Sequence, residues 1–167
     1  MKKARKATTP KPPKNPWAVR YTKRRLAEIQ ISRAVQVLVD HDDVVSALTL
    51  AGAAEEILGK MLAAKGEETA LEVTITWDAS LWVYLVKEAA KEGRTVIPPD
   101  AKELRRRNNR VRNEVKHNDQ GTNASVAADY RYWAEEMLLR AISNYTRLFK
   151  KFPPKKHVWE WWDDFTR

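Results

Sequence analysis

Residues 46–64 read "SALTLAGAAEEILGKMLAA", and the fold turns on what that stretch is. At 100° per residue it is a helix whose one side carries Val44, Leu48, Ala51, Leu58 and Leu62. Asp42 or Asp43 supplies the N-cap, and Lys65-Gly66 ends the helix near residue 64. The alanines and glycines inside it predict close backbone approach to a neighbour. Glu55 falls in the middle of the apolar side, while Glu56 points away with Thr49 and Lys60. A carboxylate on an apolar face is costly unless it is paired. Glu55 is therefore expected to meet a cation from another element.

Working outward, the chain continues to read as helices. Residues 24–39 place Ala27, Ile31, Ala34 and Leu38 at helical spacing. Residues 67–77, "EETALEVTITW", are β-branched and read equally as an extended stretch, a loop or helix. Asp78 is expected to cap a helix running to about Lys91, with Leu81, Trp82, Leu85, Val86 and Ala89 on its buried side. "EGRTVIPPD" then breaks the chain. A fourth helix runs from about Asp100 to near His117 and a fifth over about 124–150, with Ala127, Ala134, Leu138, Ala141 and Tyr145 at 3.6-residue spacing. The sum is an all-α bundle of four to five helices.

Three segments follow: an arm over 1–20, the bundle over 21–150 and a Trp-rich tail over 151–167. Net charge is +9, but residues 1–25 hold ten of the 31 Lys/Arg and no acid, leaving 21 basic against 22 acidic residues elsewhere. "MKKARKATTPKPPKNPW" predicts an extended, mobile arm, read either as an electrostatic tether to nucleic acid or ribosomes or as a solubilising tail. The tail, "HVWEWWDDF", must dock on the bundle or bind a partner; His157 is expected to be exposed there, and the tryptophans to serve packing, with Trp133 the best candidate for base stacking. The chain has no cysteine, which excludes thiolate catalysis and cysteine-based zinc sites. No apolar run is long enough to cross a bilayer and the start lacks an apolar signal region, so a cytoplasmic protein without a membrane partner is expected. His41-Asp42-Asp43 is a turn rather than a metal site, and no residue pattern calls for a metal or cofactor.

The fourth helix carries the chemistry. "KELRRRNNRVRNEVKH" holds Arg105, Arg106, Arg107, Arg110, Arg112 and Lys116 around a narrow stripe of Leu104, Val111 and Val115. Such a helix docks by its stripe and leaves two cationic flanks, an RNA- or phosphate-binding surface or else a solvated face. Histidine moves a proton near neutral pH. Arginine holds phosphate and stabilises charge developing on it, and asparagine positions an oxygen. Arg112, Asn113 and His117 together suit metal-independent RNA cleavage, with His117 taking the 2′-hydroxyl proton and Arg112 stabilising the oxyanion. An arginine of this helix is the expected partner of Glu55. On an uninterrupted helix, residues five apart point about 140° away from each other, so Arg112 and His117 converge only at a loosened helix end or across two subunits.

"RNEVKH", residues 112–117, resembles the signature of the HEPN superfamily (higher eukaryotes and prokaryotes nucleotide-binding domain). "LTLAGAAEEILGKML" is similar to the small-residue, acidic second helix of that group, and the resemblance spans residues 24–150. It implies a small, commonly dimeric helical bundle, many members being metal-independent endoribonucleases of toxin–antitoxin, phage-defence and RNA-processing systems. It also implies that Arg112 and His117 are the catalytic pair, that Asn113 supports them, and that two such motifs face one another in a dimer cleft. A cognate antitoxin or regulatory protein is a further implied partner. Toxins paired with a minimal nucleotidyltransferase antitoxin tend to have a tyrosine two residues after the histidine. This chain has Asp119 there, which sets it apart from that subtype.

Overall fold

The computed structural model describes residues 18–116, 125 and 127–167. Six helices and no strand occur among them: α1 (Lys23–His41), α2 (Val44–Ala63), α3 (Ala70–Lys91), α4 (Ala101–Lys116), α5 (Tyr130–Phe149) and α6 (Lys156–Phe165). The basic arm as far as Trp17, and residues 117–124 with them His117 and Asp119, lie outside the described residues.

α2 is the central helix. It packs against α1 on one side and α5 on the other, with α4 also against it. Ala47, Ala51, Gly52 and Ala54 are all buried, so the expected close approach of backbones is what the small residues provide. Leu48, Leu58 and Leu62 meet Ile31 and Leu38 of α1 and Met137, Leu138 and Ile142 of α5 in one core. Each such side chain, once buried, contributes about 1.5–3 kcal/mol. Asp43 caps α2, its side chain accepting from Ser46 N at 3.0 Å, while Asp42 ends α1 in the left-handed conformation. Asp100 opens α4 by accepting from Glu103 N at 2.7 Å.

α3 departs from expectation. It begins at Ala70 and runs unbroken through Asp78, so Asp78 is not a cap; Thr69 is, accepting from Glu72 N at 3.2 Å. The buried amide of Ala70 donates to Asn144 Oδ1 of α5 at 2.8 Å, which fixes the start of the helix from outside it. Thr74 and Thr76 are accommodated by donating their hydroxyls to the carbonyls four residues back. The predicted buried side is also corrected. Only Ala89 of that set is buried; Leu81 and Leu85 are exposed, and Trp77 one turn earlier is 74% exposed. Trp82 and Val86 are half-buried, so α4 and α5 cover part of α3 and leave the side of Trp77, Leu81 and Leu85 exposed.

α5 starts at Tyr130 rather than near 124, because Asp129 accepts from Tyr132 N at 3.0 Å and Ala127 is exposed outside the helix. The tail docks. α6 lies on α1, with Val158 and Trp161 in the core. It is a sixth helix beyond the four to five expected. His157 is half-buried rather than exposed, its Nε2 3.0 Å from Ser32 Oγ.

Candidate functional site

Glu55 is 5% exposed and sits between two guanidinium groups. Arg112 of α4 donates from Nη1 to Glu55 Oε2 at 3.0 Å, and Arg140 of α5 donates from Nη2 to Oε1 at 2.8 Å. The first pairing is the one the sequence predicts. The second was not singled out in the sequence. Arg140, 4% exposed, also donates to the Asn108 carbonyl at 3.3 Å and to Asn109 Oδ1 at 3.2 Å. Its only sequence signal is its place between Met137 and Ala141, an arginine on the flank of an apolar stripe. The cluster of one carboxylate and two guanidinium groups carries a net positive charge.

Arg112 is held in place by sterics as well as charge. A Cβ added to Gly52 would lie 2.6 Å from Arg112 Cδ and 2.9 Å from its Cγ, so the arginine stem crosses α2 where a glycine lets it. Its Nε and Nη2 share Asn113 Oδ1 at 3.4 and 3.3 Å. The side chain keeps 18% exposure, and of the five N–H groups of a guanidinium at least two remain for another acceptor. Arg112, Asn113 and Glu55 are thus together, while His117 lies outside the described residues.

Five of the remaining cations of α4, Arg105, Arg106, Arg107, Arg110 and Lys116, are exposed and face carboxylates. Arg105 makes a two-point contact with Glu72 of α3, at 3.1 and 2.7 Å. Arg106 and Arg107 share Glu103 at 2.7 and 2.8 Å, Arg110 meets Glu114 at 3.3 Å, and Lys116 reaches Glu56 of α2 at 3.4 Å. The hydrogen bonds from Arg106 and then Arg107 hold the Glu103 carboxyl down at about 2. Glu72 and Glu56 come from other helices, so the helical pattern of α4 alone could not reveal them. Exposed pairs of this kind are worth roughly 0–1 kcal/mol and yield readily to a phosphate.

A recess of about 100 Å³ opens beside Arg112 between α2 and α4, lined mainly by apolar atoms of Leu48, Gly52 and Ala53, with Glu56 and Lys116 also on its wall. Among the described residues, no three His, Asp or Glu side chains gather as metal ligands would. Asp42 and Asp43 of the "HDD" turn are used by an ion pair to Arg131 and by the α2 cap. Trp133, half-buried against the core, meets Tyr132 edge-on with ring centroids 5.3 Å apart. Compared with protein families, curated proteins and solved structures, the chain gave no match.

Proposed function

We propose that the chain is a metal-independent endoribonuclease of the HEPN type. The observation that carries the reading is the fixed Arg112: a buried carboxylate and a glycine on α2 orient its guanidinium, with Asn113 beside it, five residues before His117 in the chain. Arg140, sharing the same carboxylate, adds positive potential behind it. In this mechanism His117 accepts the 2′-hydroxyl proton and the freed oxygen attacks the adjacent phosphorus. The bond to the 5′-oxygen breaks, giving a 2′,3′-cyclic phosphate and a 5′-hydroxyl end. Arg112 stabilises the charge gathering on the phosphoryl oxygens, an effect that needs a preorganised donor. A homodimer that brings two Arg112/His117 sets together, and a toxin or phage-defence role restrained by an antitoxin or regulatory protein, belong to the same reading.

The test is incubation of the purified chain with single-stranded RNA in excess chelator. Cleavage with cyclic phosphate ends is expected, slowed about 10²–10⁴-fold by His117→Ala. Equal rates for wild type and His117→Ala would overturn the reading. A second reading, a non-catalytic RNA- or partner-binding bundle, is favoured by the exposed cations along α4. It predicts binding that weakens steeply with salt and with deletion of residues 1–20, and is indifferent to His117→Ala.

A further inference from the structure

The recess beside Arg112 differs in kind from the rest of the α4 surface. Elsewhere the helix offers the exposed cations Arg105, Arg106, Arg107 and Arg110, each facing a carboxylate. Here two cations one turn apart, Arg112 and Lys116, border an apolar hollow whose other wall is Leu48, Gly52 and Ala53 of α2. Its volume of about 100 Å³ is well below the roughly 300–1,000 Å³ of a complete small-molecule pocket. It has room for one small group rather than a whole ligand. Because Gly52 has no Cβ, the Arg112 stem lies directly on α2 and forms one wall of the recess.

Apolar walls, neighbouring cations and a single carboxylate at the edge match the parts of one nucleotide. A base is apolar on its faces and polar at its rim, and single-stranded RNA is read by enclosing the face and bonding the edge. The carboxylate is Glu56. Lys60 holds its Oε1 at 2.6 Å, whereas Lys116 stands 3.4 Å from Oε2, the looser of the two contacts. The hydrogen bond from Lys60 keeps the Glu56 carboxyl below its ordinary range, so it is an acceptor only. Lys116 is exposed and free to turn from Glu56 to a phosphate. Of the four RNA bases, guanine alone presents two adjacent N–H donors, N1–H and the 2-amino group, to a carboxylate. Each of the others sets an acceptor beside its donor, which a carboxylate repels.

We infer that the recess is a guanosine subsite: the base enters between α2 and α4 with its donor edge on Glu56, and its 3′-phosphate lies on Arg112 and Lys116. The inference rests on the ribonuclease reading for the fate of that phosphate, not for the binding itself. Were both right, the chain would cut on the 3′ side of guanosine.

Two measurements separate them. The four nucleoside 3′-monophosphates, which have no scissile bond, are titrated calorimetrically into the wild-type chain. Guanosine 3′-monophosphate should bind about tenfold or more tighter than the others, the worth of hydrogen bonds to a charged acceptor. Glu56→Gln should erase that preference, and Thr49→Trp, at an exposed position on the rim, should weaken all four. Equal binding of the four, or no effect of Thr49→Trp, overturns the subsite. Sequencing of cleaved RNA ends supplies the second measurement. Cleavage without regard to guanosine sinks the subsite and leaves the ribonuclease reading intact. Guanosine-selective binding by a chain that cuts nothing supports the subsite and sinks the ribonuclease reading.

Discussion

Gly52 and Arg112 constrain each other across α2 and α4, and Glu55, three residues along the same helix, completes the constraint. In an ordinary helix interior, alanine in place of glycine stabilises by roughly 0.5–1 kcal/mol. Here the new Cβ would meet the middle of the arginine stem, which must shift and so strain its contact with Glu55. Gly52→Ala is therefore expected to destabilise by about 1–3 kcal/mol, as overpacking does, and, under the proposed ribonuclease function, to depress RNA cleavage more than heating curves alone suggest. Unfolding midpoints beside cleavage rates check the split. Glu55→Gln is more severe, because it leaves Arg112 and the buried Arg140 facing a neutral amide. About 3–5 kcal/mol is expected from a lost partner in a buried pair, read as a lower urea midpoint. A buried glutamate whose loss costs under 1 kcal/mol would contradict the cluster. That Glu55 needed a cation was legible from its place on an apolar face. That it has two was not, because Arg140 comes from a helix 85 residues away and no local spacing encodes that meeting.

At the scale of elements, α3 shows where local pattern and tertiary context part. The β-branched run 73–76 leaves helix and extended chain equally open, and Asp78 looks like a cap ahead of an apolar stretch. Tertiary contacts decide the first and reverse the second. Asn144 accepts the Ala70 amide, Thr69 caps, and Asp78, mid-helix, accepts instead from Asn108 Nδ2 at 2.8 Å. Thr69→Ala should cost about 1 kcal/mol, the usual worth of an N-cap, and should raise hydrogen exchange over the first turn of α3. Asp78→Ala should leave that turn unchanged, whereas an N-cap at Asp78 would give the opposite ranking. Periodicity predicts a buried side of Leu81, Trp82, Leu85, Val86 and Ala89 for α3, yet Leu81 and Leu85 stand in solvent. Periodicity tells which residues share a face; it does not tell whether the chain has another element to lay against it. α2, α4 and α5 were readable because their apolar stripes do find partners within the chain.

The whole molecule is closed by a contact between α1 and α5 that no helical pattern predicts. Tyr145, fully buried, donates its hydroxyl to Glu28 Oε1 at 2.6 Å, and Arg24 donates to the same oxygen at 2.9 Å and to the Tyr145 oxygen at 3.0 Å. Burial alone would raise the Glu28 carboxyl, but the hydrogen bonds from Tyr145 and Arg24 outweigh it and hold the group below its ordinary value of 4.5. A carboxyl depressed in the folded state stabilises the fold above its unfolded value. That contribution drains away as pH falls through the folded value. Tyr145→Phe keeps the ring in the core and removes one hydrogen bond to a charge, so near neutrality it should cost about 1.5–3 kcal/mol. Below pH 4.5 wild type loses what the variant never had, and the two stability curves should converge. Urea unfolding of both proteins from pH 7 down to pH 3 measures this. A gap as wide at pH 3 as at pH 7 would show that the cost lies in packing around the ring and not in the Tyr145–Glu28 bond.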